Sequence, residues 1–272
     1  MGDMGKGGAD QYKVAKAIQK IYKQRGIQFV LGLGDNMYPN GCETVDDPLF
    51  YTNFEKPYSI LPDDRWYMCM GNHDYGYTLK GCNGQTLEGC SKCRTIKDCK
   101  DNSQSQIDYT RKSTKWFMPS KYYSFVKGPV EFFYLDTNLD RQRESDIKKQ
   151  LKTMKDKLDK CKKTWKVVVG HHTWRSIAAH GNAKPRLERF LNELFKDTKP
   201  SLYMGGHDHC NSLITKDGIP IVISGVGGER YDNTVNYQNM HDCQVDYFSP
   251  ELGFTVLNFT AKNMNIDFYN VK

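Results

Sequence analysis

The sequence predicts an α/β fold, a four-layer sandwich in which two mixed β-sheets face each other and are flanked by α-helices. Apolar runs of strand length alternate with helix-length amphipathic segments through residue 200, as in parallel βαβ units. After residue 200, strand-like segments follow one another closely and are separated by Gly, Asp and Asn turns. A chain of 272 residues can bury one large core, so we expect a single domain over residues 1–272.

The first predicted helix covers Asp10–Arg25, where apolar residues recur at helical spacing and Gly26 supplies a stop. The apolar run at 27–33 then predicts a short buried strand that leads directly into Gly34 and Asp35. The same order, an apolar run and then a glycine-led polar segment, recurs at 65–74 and at 165–172. We therefore expect three strands to deliver polar side chains to one edge of the fold.

Two further helices complete the predicted βαβ pattern. One extends from about Ser145 to Lys160 before the strand at 165–169, and the other from about Pro185 to Phe195 after it. The later apolar segments at 201–206, 219–225, 254–259 and 264–269 are predicted to form the second sheet.

The net charge of +7 is compatible with nucleic-acid binding and equally with an enzyme that attracts anionic phosphoesters. Much of the excess lies between Lys148 and Lys166, where nine lysines accompany two aspartates at a spacing typical of a solvated helix face. No nucleic-acid-binding motif accompanies this segment, so we expect no nucleic-acid partner. No apolar stretch approaches the roughly 18 residues of a membrane helix, and we expect no membrane span.

Nine cysteines are many for a cytosolic enzyme of this size. Four of them crowd into a polar insertion at about 80–101, which contains Cys82, Cys90, Cys93 and Cys99. Two disulfides are the preferred interpretation, and a structural zinc is the alternative, although only one CxxC pair is present. Cys69 lies in an apolar run and is predicted to be a buried free thiol.

The start of the chain leads to a separate expectation. Asp3 follows Met1 and Gly2 directly, without the strand and the secretion signal that we expect to precede it. Localisation is therefore open at the level of the residues.

Five short segments carry the residues that can do chemistry: GDMG, GDNMY, GNHD, GHH and GHDH. Their carboxylate, phenolate, amide and imidazole groups offer hard oxygen and borderline nitrogen donors, which suit iron, manganese or zinc. We interpret them as one two-metal site for phosphoester hydrolysis, with seven ligands: Asp3, Asp35, Tyr38, Asn72, His171, His207 and His209.

Two of these residues are the most informative. Asp35 is the natural bridge because one carboxylate can bind two cations about 3.5 to 4 Å apart, whereas an isolated Gly-Asp pair would equally be a turn. Tyr38 follows three residues later, and although an exposed loop tyrosine is the ordinary case, a phenolate beside a bridging carboxylate is a strong donor to iron(III).

The ordered motifs resemble those of the purple acid phosphatases, especially the small plant and mammalian tartrate-resistant type, within the calcineurin-like metallophosphoesterases. The resemblance covers nearly the whole chain and includes VDDPLF, GNHDYG, LDTN, WKVVVGHHTWRSIAAHGN, GGHDHC and SGVGG. It implies the metallophosphoesterase fold and acid phosphatase activity on phosphate monoesters, either small molecules or phosphoproteins. It also implies a secreted or vacuolar/lysosomal protein, which we expect to be monomeric.

The resemblance also implies how the metals are divided. Asp3, Tyr38 and His209 would bind Fe(III), and Asp35 would bridge. The second, divalent metal, which is iron, zinc or manganese in the family, would be held by Asn72, His171 and His207.

By the same resemblance, His73 and His180 would contact substrate, and the alternative for each is a supporting or surface histidine. For His172 a hydrogen-bonded packing role is sufficient. We expect a metal-activated hydroxide to attack phosphorus in line without a phosphoenzyme, while protonated His180, with His73, gives a proton to the leaving alcohol. Because a trivalent ion would keep hydroxide present in acid, an acid pH optimum is expected.

Three alternatives remain at this point. A phosphodiesterase or protein phosphatase with manganese or zinc would share the fold, although Tyr38 would have no obvious role as a ligand in it. A catalytically weak scaffold of the same fold would be expected to have lost ligands, and all seven are present. A nucleic-acid binder is the third.

Overall fold

The computed structural model describes residues 1–76, 101–230 and 235–272. Its α-helices are α1 (Ala9–Arg25), α2 (Pro48–Phe50, continued by a π-helical turn at Tyr51–Glu55), α3 (Ser103–Tyr109), α4 (Glu144–Lys160) and α5 (Pro185–Thr198). Short 3-10 helices lie at Leu139–Arg141 and Tyr237–Met240. The predicted first helix is confirmed, and it ends where Gly26 adopts a left-handed conformation at φ 61°.

The described residues form twelve strands. They are β1 (Val30–Leu31), β2 (Trp66–Tyr67), β3 (Trp116–Phe117), β4 (Tyr123–Lys127), β5 (Val130–Tyr134), β6 (Trp165–Val169), β7 (Leu202–Gly205), β8 (Asn211–Lys216), β9 (Ile219–Ser224), β10 (Gln244–Ser249), β11 (Gly253–Phe259) and β12 (Met264–Asn270).

The largest sheet has seven strands in the order β10-β8-β9-β7-β6-β5-β4. Its centre is parallel, since β5 pairs with β6, β6 with β7, and β7 with β9. Helix α4 connects β5 to β6, and helix α5 connects β6 to β7, which confirms the predicted βαβ units. Both faces of this sheet are covered, so its central strands are continuous apolar runs.

Side-chain alternation along the parallel strands separates two cores. In β6, for example, Val167 and Val169 belong to one apolar cluster and Val168 to the other. The second cluster joins the sheet to α4 and α5. The first cluster joins it to β1, β2, β11 and, beyond these, to α1, so the layers run helix, sheet, sheet, helix as predicted.

The membership of the second layer differs from the prediction. Strands β7 and β9 do not form a second sheet but extend the large one, because the helix α5 returns the chain beside β6 and because both strands are apolar on two faces. The second layer contains a parallel sheet, β1-β2-β3, and an antiparallel ladder, β11-β12. Of the described strands after residue 200, only the last pair belongs to this layer.

Two sequence-level expectations concern thiols and membranes. Cys69 is buried and free, as predicted. Cys82, Cys90, Cys93 and Cys99 lie outside the described residues, so their pairing stays a prediction. Within the described ranges, none of the helices combines the length and the apolar character needed to cross a membrane.

Candidate metal centre

The candidate residues converge at one edge of the sandwich, where strands of both sheet layers end. Asp35 and Asn72 follow β1 and β2 of the small parallel sheet, whereas His171 and His207 follow β6 and β7 of the large sheet. Because the carboxyl ends of these parallel strands point to the same edge, four polar segments that are distant in sequence meet above the core between the sheets.

One group of donor atoms surrounds the phenol oxygen of Tyr38. This oxygen lies 3.3 Å from Oδ1 of Asp3, 3.3 Å from Oδ2 of Asp35 and 3.4 Å from Nε2 of His209. The imidazole of His209 in turn lies 3.4 Å from the same Asp3 oxygen. Four potential ligand atoms, one from each of these residues, therefore lie close together.

A second group lies on the other side of Asp35. Nε2 of His171 is 3.3 Å from Oδ2 of Asp35, 3.1 Å from Oδ1 of Asn72 and 3.2 Å from Nδ1 of His207. Ligand atoms of Asp35, His171 and His207 all lie within 4.8 Å of one another. This is again the spacing of side chains that surround a single cation.

Oδ2 of Asp35 belongs to both groups. Bonds of about 2.0 to 2.2 Å from nitrogen and oxygen ligands to a cation put neighbouring ligand atoms roughly 3 to 3.5 Å apart, which is the separation found in both groups. The donor atoms of each group therefore have a spacing that would suit one cation, and one carboxylate oxygen is common to both groups. All seven residues that were predicted from the sequence to be metal ligands lie together at this edge of the sandwich.

The backbone at this edge is strained. Among the described residues only five other than glycine have positive φ angles, and three of them are Asp3 (57°), Asp35 (51°) and His207 (67°). Such conformations cost of order 1 kcal/mol or more and cluster at functional sites, where the surrounding structure holds them.

Glycine allows the close approach of these segments. A Cβ atom on Gly71 would lie 2.1 Å from Oδ1 of Asp35, and one on Gly206 would lie 2.4 Å from Oδ2 of Asp3. The glycines that open GNHD and GHDH are therefore required because the donor carboxylates pack directly on their backbone.

The protein alone already compensates negative charge with positive charge in the site. Burial disfavours charge on both partners, but the His171 imidazole and its hydrogen bond lower the pKa of Asp35 below its ordinary value. Burial likewise opposes the charged form of His171, yet the Asp35 carboxylate raises the pKa of His171 to about 9. A cation that binds here would replace the proton of His171 as the positive charge that compensates the Asp35 carboxylate.

His73 and His180 lie next to the donor groups and line the same cleft, which has a volume of about 520 Å³. The backbone N–H of His73 donates to Oδ1 of Asp35 at 2.8 Å, and its ring lies 4.3 Å from the ring of Tyr38. The exposed ring of His180 stacks on His207 with centroids 4.2 Å apart. Both histidines therefore lie beside the donor groups, although on different loops.

His172 has the packing role expected from sequence. Its Nδ1 lies 2.9 Å from Oγ1 of Thr137, and its backbone carbonyl accepts a hydrogen bond from Tyr203. Burial, followed by the charge of His171, lowers the pKa of His172 to about 3, so this imidazole stays neutral.

Three residues that hold the site in place were not predicted from the sequence, namely Thr137, Asp74 and Asp208. Thr137 follows β5, and its hydroxyl oxygen accepts hydrogen bonds from the backbone N–H groups of His171 (3.2 Å) and His172 (3.0 Å). This residue therefore fixes the turn that carries His171. Its position at a strand end, in LDTN, was the available signal.

Asp74 joins two of the motifs. Its buried carboxylate accepts hydrogen bonds from the N–H groups of Asn36 (2.9 Å), Met37 (3.0 Å) and Gly71 (2.7 Å). The loop that carries Asp35 and the loop that carries Asn72 are thereby held together. The final aspartate of GNHD was visible in the sequence, but its partners were not.

Asp208 lies between His207 and His209 and has a corresponding role. Its carboxylate accepts hydrogen bonds from the backbone N–H groups of His180 (2.6 Å) and Gly181 (3.1 Å). The turn that bears two candidate ligands is thus tied to the loop that bears His180.

Known proteins are similar to this chain in sequence and in fold. The model of the calcineurin-like phosphoesterase family matches residues 1–211. Purple acid phosphatase 4 of Arabidopsis thaliana is 30% identical over 280 residues, which cover 100% of this chain and 79% of that protein. Tartrate-resistant acid phosphatase type 5 of Homo sapiens is 28% identical, with 93% of this chain and 79% of that protein covered.

Two solved structures extend the comparison to the fold. GAP50, the anchor in the inner membrane complex of Plasmodium, superposes with a TM-score of 0.80 at 20% identity, covering 100% of this chain and 83% of that chain. The purple acid phosphatase PPD1 from yellow lupin seeds superposes with a TM-score of 0.73 at 18% identity, covering 99% of this chain and 50% of that chain. With the family match and the sequence identity over its whole length, the chain belongs to the calcineurin-like phosphoesterases and, among them, to the purple acid phosphatases, which are metal-dependent phosphoric monoester hydrolases.

Proposed function

We propose that this protein is an acid phosphatase that hydrolyses phosphate monoesters at a centre of Fe(III) and one divalent metal. The observation that carries the proposal is the sharing of Oδ2 of Asp35 by two groups of donor atoms. A site for a single cation would need only one of these groups.

The chemistry of the donors supports an assignment of each donor to one of the two metals. Asp3, Tyr38 and His209 would hold Fe(III), because carboxylate and phenolate oxygens stabilise a trivalent ion. The neutral amide of Asn72 and the imidazoles of His171 and His207 suit a divalent iron, zinc or manganese ion. Asp35 would bridge them, and its N–H partner His73 keeps its second oxygen oriented.

When bound, the metal pair supplies Lewis-acid charge for the phosphate oxygens and lowers the pKa of the attacking water. The other steps fall to side chains of the cleft. His73 and His180 flank the donor groups on different loops and would hold the phosphate oxygens between them. His180, on the exposed side, would donate the proton that the leaving alcohol needs.

The test combines metal analysis, a visible spectrum and turnover of 4-nitrophenyl phosphate. We expect about one iron and one divalent metal per chain, a tyrosinate-to-iron absorption band and hydrolysis fastest in acid. Asp35→Asn and His207→Ala should each lose metal and activity, because no neighbouring donor replaces the one removed. Two zinc or manganese ions with no colour would instead indicate another metallophosphoesterase, and an inactive, metal-free protein would indicate a scaffold.

The location of the enzyme is part of the proposal. A phosphatase that works in acid and carries paired cysteines would suit a secreted or vacuolar/lysosomal protein. Mass mapping of the peptides that contain Cys82, Cys90, Cys93 and Cys99 under non-reducing conditions tests the pairing, and four free thiols would contradict it.

A further inference from the structure

The cleft above the candidate metal centre extends well beyond the metal donors. Its volume of about 520 Å³ is in the range that accommodates a whole small-molecule ligand rather than one phosphate group. Four of the seven candidate donors, Asp35, Asn72, His207 and His209, line the cleft together with His73 and His180, and we call this part its inner end. The outer wall is built from the 3-10 helix Leu139–Arg141 and from the segment that leads into α5.

This outer wall is cationic. It contains three basic side chains, Arg141, Lys184 and Arg186, and one acidic side chain, Asp140. The charge of Arg186 is already compensated by ion pairs, since its guanidinium lies 2.7 Å from Glu144 and 3.6 Å from Asp140.

Within the described parts of the chain, the charges of Arg141 and Lys184 have no such compensation. Nη2 of half-buried Arg141 donates to the carbonyl oxygen of Gly76 at 3.3 Å, which is a neutral acceptor that orients the guanidinium without removing its charge. Lys184 is exposed, and the ion pairs at this wall among residues 1–76, 101–230 and 235–272 are those of Arg186, with neither Arg141 nor Lys184 within ion-pair distance of a carboxylate.

We propose that Arg141 and Lys184 bind a second anionic group of the substrate, so that the enzyme prefers small phosphate monoesters that carry a second phosphate. This inference rests on the proposed function, because it requires the first phosphate to lie at the inner, metal-binding end of the cleft. A guanidinium binds phosphate oxygens through two parallel N–H donors, and the low-dielectric wall of a cleft strengthens the attraction.

The test compares two substrates that have the same type of leaving alcohol, propyl phosphate and propane-1,3-diol bisphosphate, on metal-loaded enzyme. We expect kcat/KM for the bisphosphate to be about tenfold higher, the size expected of two partly exposed charge pairs. In the double variant Arg141→Ala, Lys184→Ala this ratio should fall to about two, mainly through KM of the bisphosphate. The charge-conserving pair Arg141→Lys, Lys184→Arg should restore part of the preference.

Lys152→Ala is the matched control, since Lys152 is an exposed lysine of α4 that does not line the cleft, and it should keep the wild-type ratio. A binding measurement gives a readout that is independent of turnover. Methylenediphosphonate should bind the wild-type protein about tenfold more tightly than methylphosphonate does, and the double variant should lose this difference.

The outcomes separate the two proposals. A wild-type enzyme that hydrolyses both substrates with equal kcat/KM, or a double variant that keeps the wild-type preference, would overturn the role of Arg141 and Lys184 and leave the phosphatase assignment intact. Failure to hydrolyse either substrate would contradict the proposed function, and the phosphonate measurement would then decide on the anion site by itself.

Discussion

At the scale of single residues, the site depends on carboxylates that play different parts. Asp35 offers one oxygen to both donor groups, whereas Asp74 and Asp208 accept backbone hydrogen bonds and hold loops in place. The distinction matters because replacing a candidate donor should remove metal, while replacing a positioning residue should shift side chains that remain chemically intact.

Tyr38→Phe should abolish the visible absorption band and retain part of the phosphatase activity. The phenol oxygen lies 3.3 Å from both Asp3 and Asp35, so its removal deletes the charge-transfer donor while the other donors of that group remain. Spectra and metal content of the purified variant provide the measurement. A wild-type protein that contains iron but shows no band would contradict the assignment of Tyr38 to Fe(III).

Asp208→Ala should reduce hydrolysis of alkyl phosphates more than that of 4-nitrophenyl phosphate. The carboxylate positions His180 through its backbone N–H at 2.6 Å, and an alkyl leaving group needs a proton that nitrophenolate does not. We expect a difference of about tenfold to a hundredfold, similar to that of His180→Ala.

The control for this prediction is Asp208→Asn, whose amide oxygen still accepts a hydrogen bond from His180 and should recover part of the lost activity. Equal losses on both substrates in Asp208→Ala, accompanied by loss of metal, would show that Asp208 acts on the turn of His207 and His209 instead.

At the scale of elements, an ion cluster joins the loop after β6 to α5 and to the segment before β10. The buried Arg175 contacts Glu188 of α5 and donates from Nε to Asp242 at 2.8 Å, and Lys216 of β8 donates to the same carboxylate at 2.8 Å. Removal of one carboxylate leaves a buried guanidinium only partly compensated. The cluster therefore stabilises the loop that carries His171 and His180.

Asp242→Asn should lower the free energy of unfolding by about 1 to 2 kcal/mol near neutral pH. The hydrogen bond from Arg175 lowers the pKa of Asp242 below its ordinary value, so the folded state binds fewer protons there than the unfolded chain does. This contribution is present above pH ~4, where the unfolded carboxyl is ionised, and is lost as the pH falls through the lower folded pKa.

Urea titrations at pH 6.5 and pH 3 test this sign. The difference between the wild type and Asp242→Asn should shrink at the lower pH, whereas Asp159→Asn, an exposed aspartate of α4, should have little effect at either. A difference that grows in acid would contradict the charge-based account.

At the scale of the whole molecule, the candidate metal centre joins the two sheet layers. Its donors follow β1 and β2 in one layer and β6 and β7 in the other, above the apolar core between them. Bound cations would therefore crosslink the sandwich at one edge. The organisation of the chain as a single domain stays a prediction that suits this arrangement.

Metal removal should accordingly lower the thermal stability. A metal present at about a thousand times its Kd contributes roughly 4 kcal/mol, which for a chain of this size corresponds to a Tm shift of about 10 °C. Calorimetry before and after chelation gives the measurement, and His207→Ala should show a much smaller difference. An unchanged Tm in the wild type would argue against cations that hold the two layers together.

Much of this protein could be predicted from local patterns. The first helix, the βαβ units and the order of strand, glycine and polar residue depend on neighbours within about ten residues, where periodicity and turn chemistry act. The chemical identity of the seven candidate donors was equally visible, because carboxylate, phenolate, amide and imidazole groups follow predicted strands.

Only the tertiary structure decided how these parts are arranged. The assignment of β7 and β9 to the large sheet, the division of the donors around Oδ2 of Asp35, and the roles of Thr137, Asp74 and Asp208 all depend on contacts between distant segments. The hydrogen bond from His207 to Asp3, for example, spans 204 residues. Local sequence determines which groups a strand presents at its end, but the packing of two sheets determines which of those ends meet.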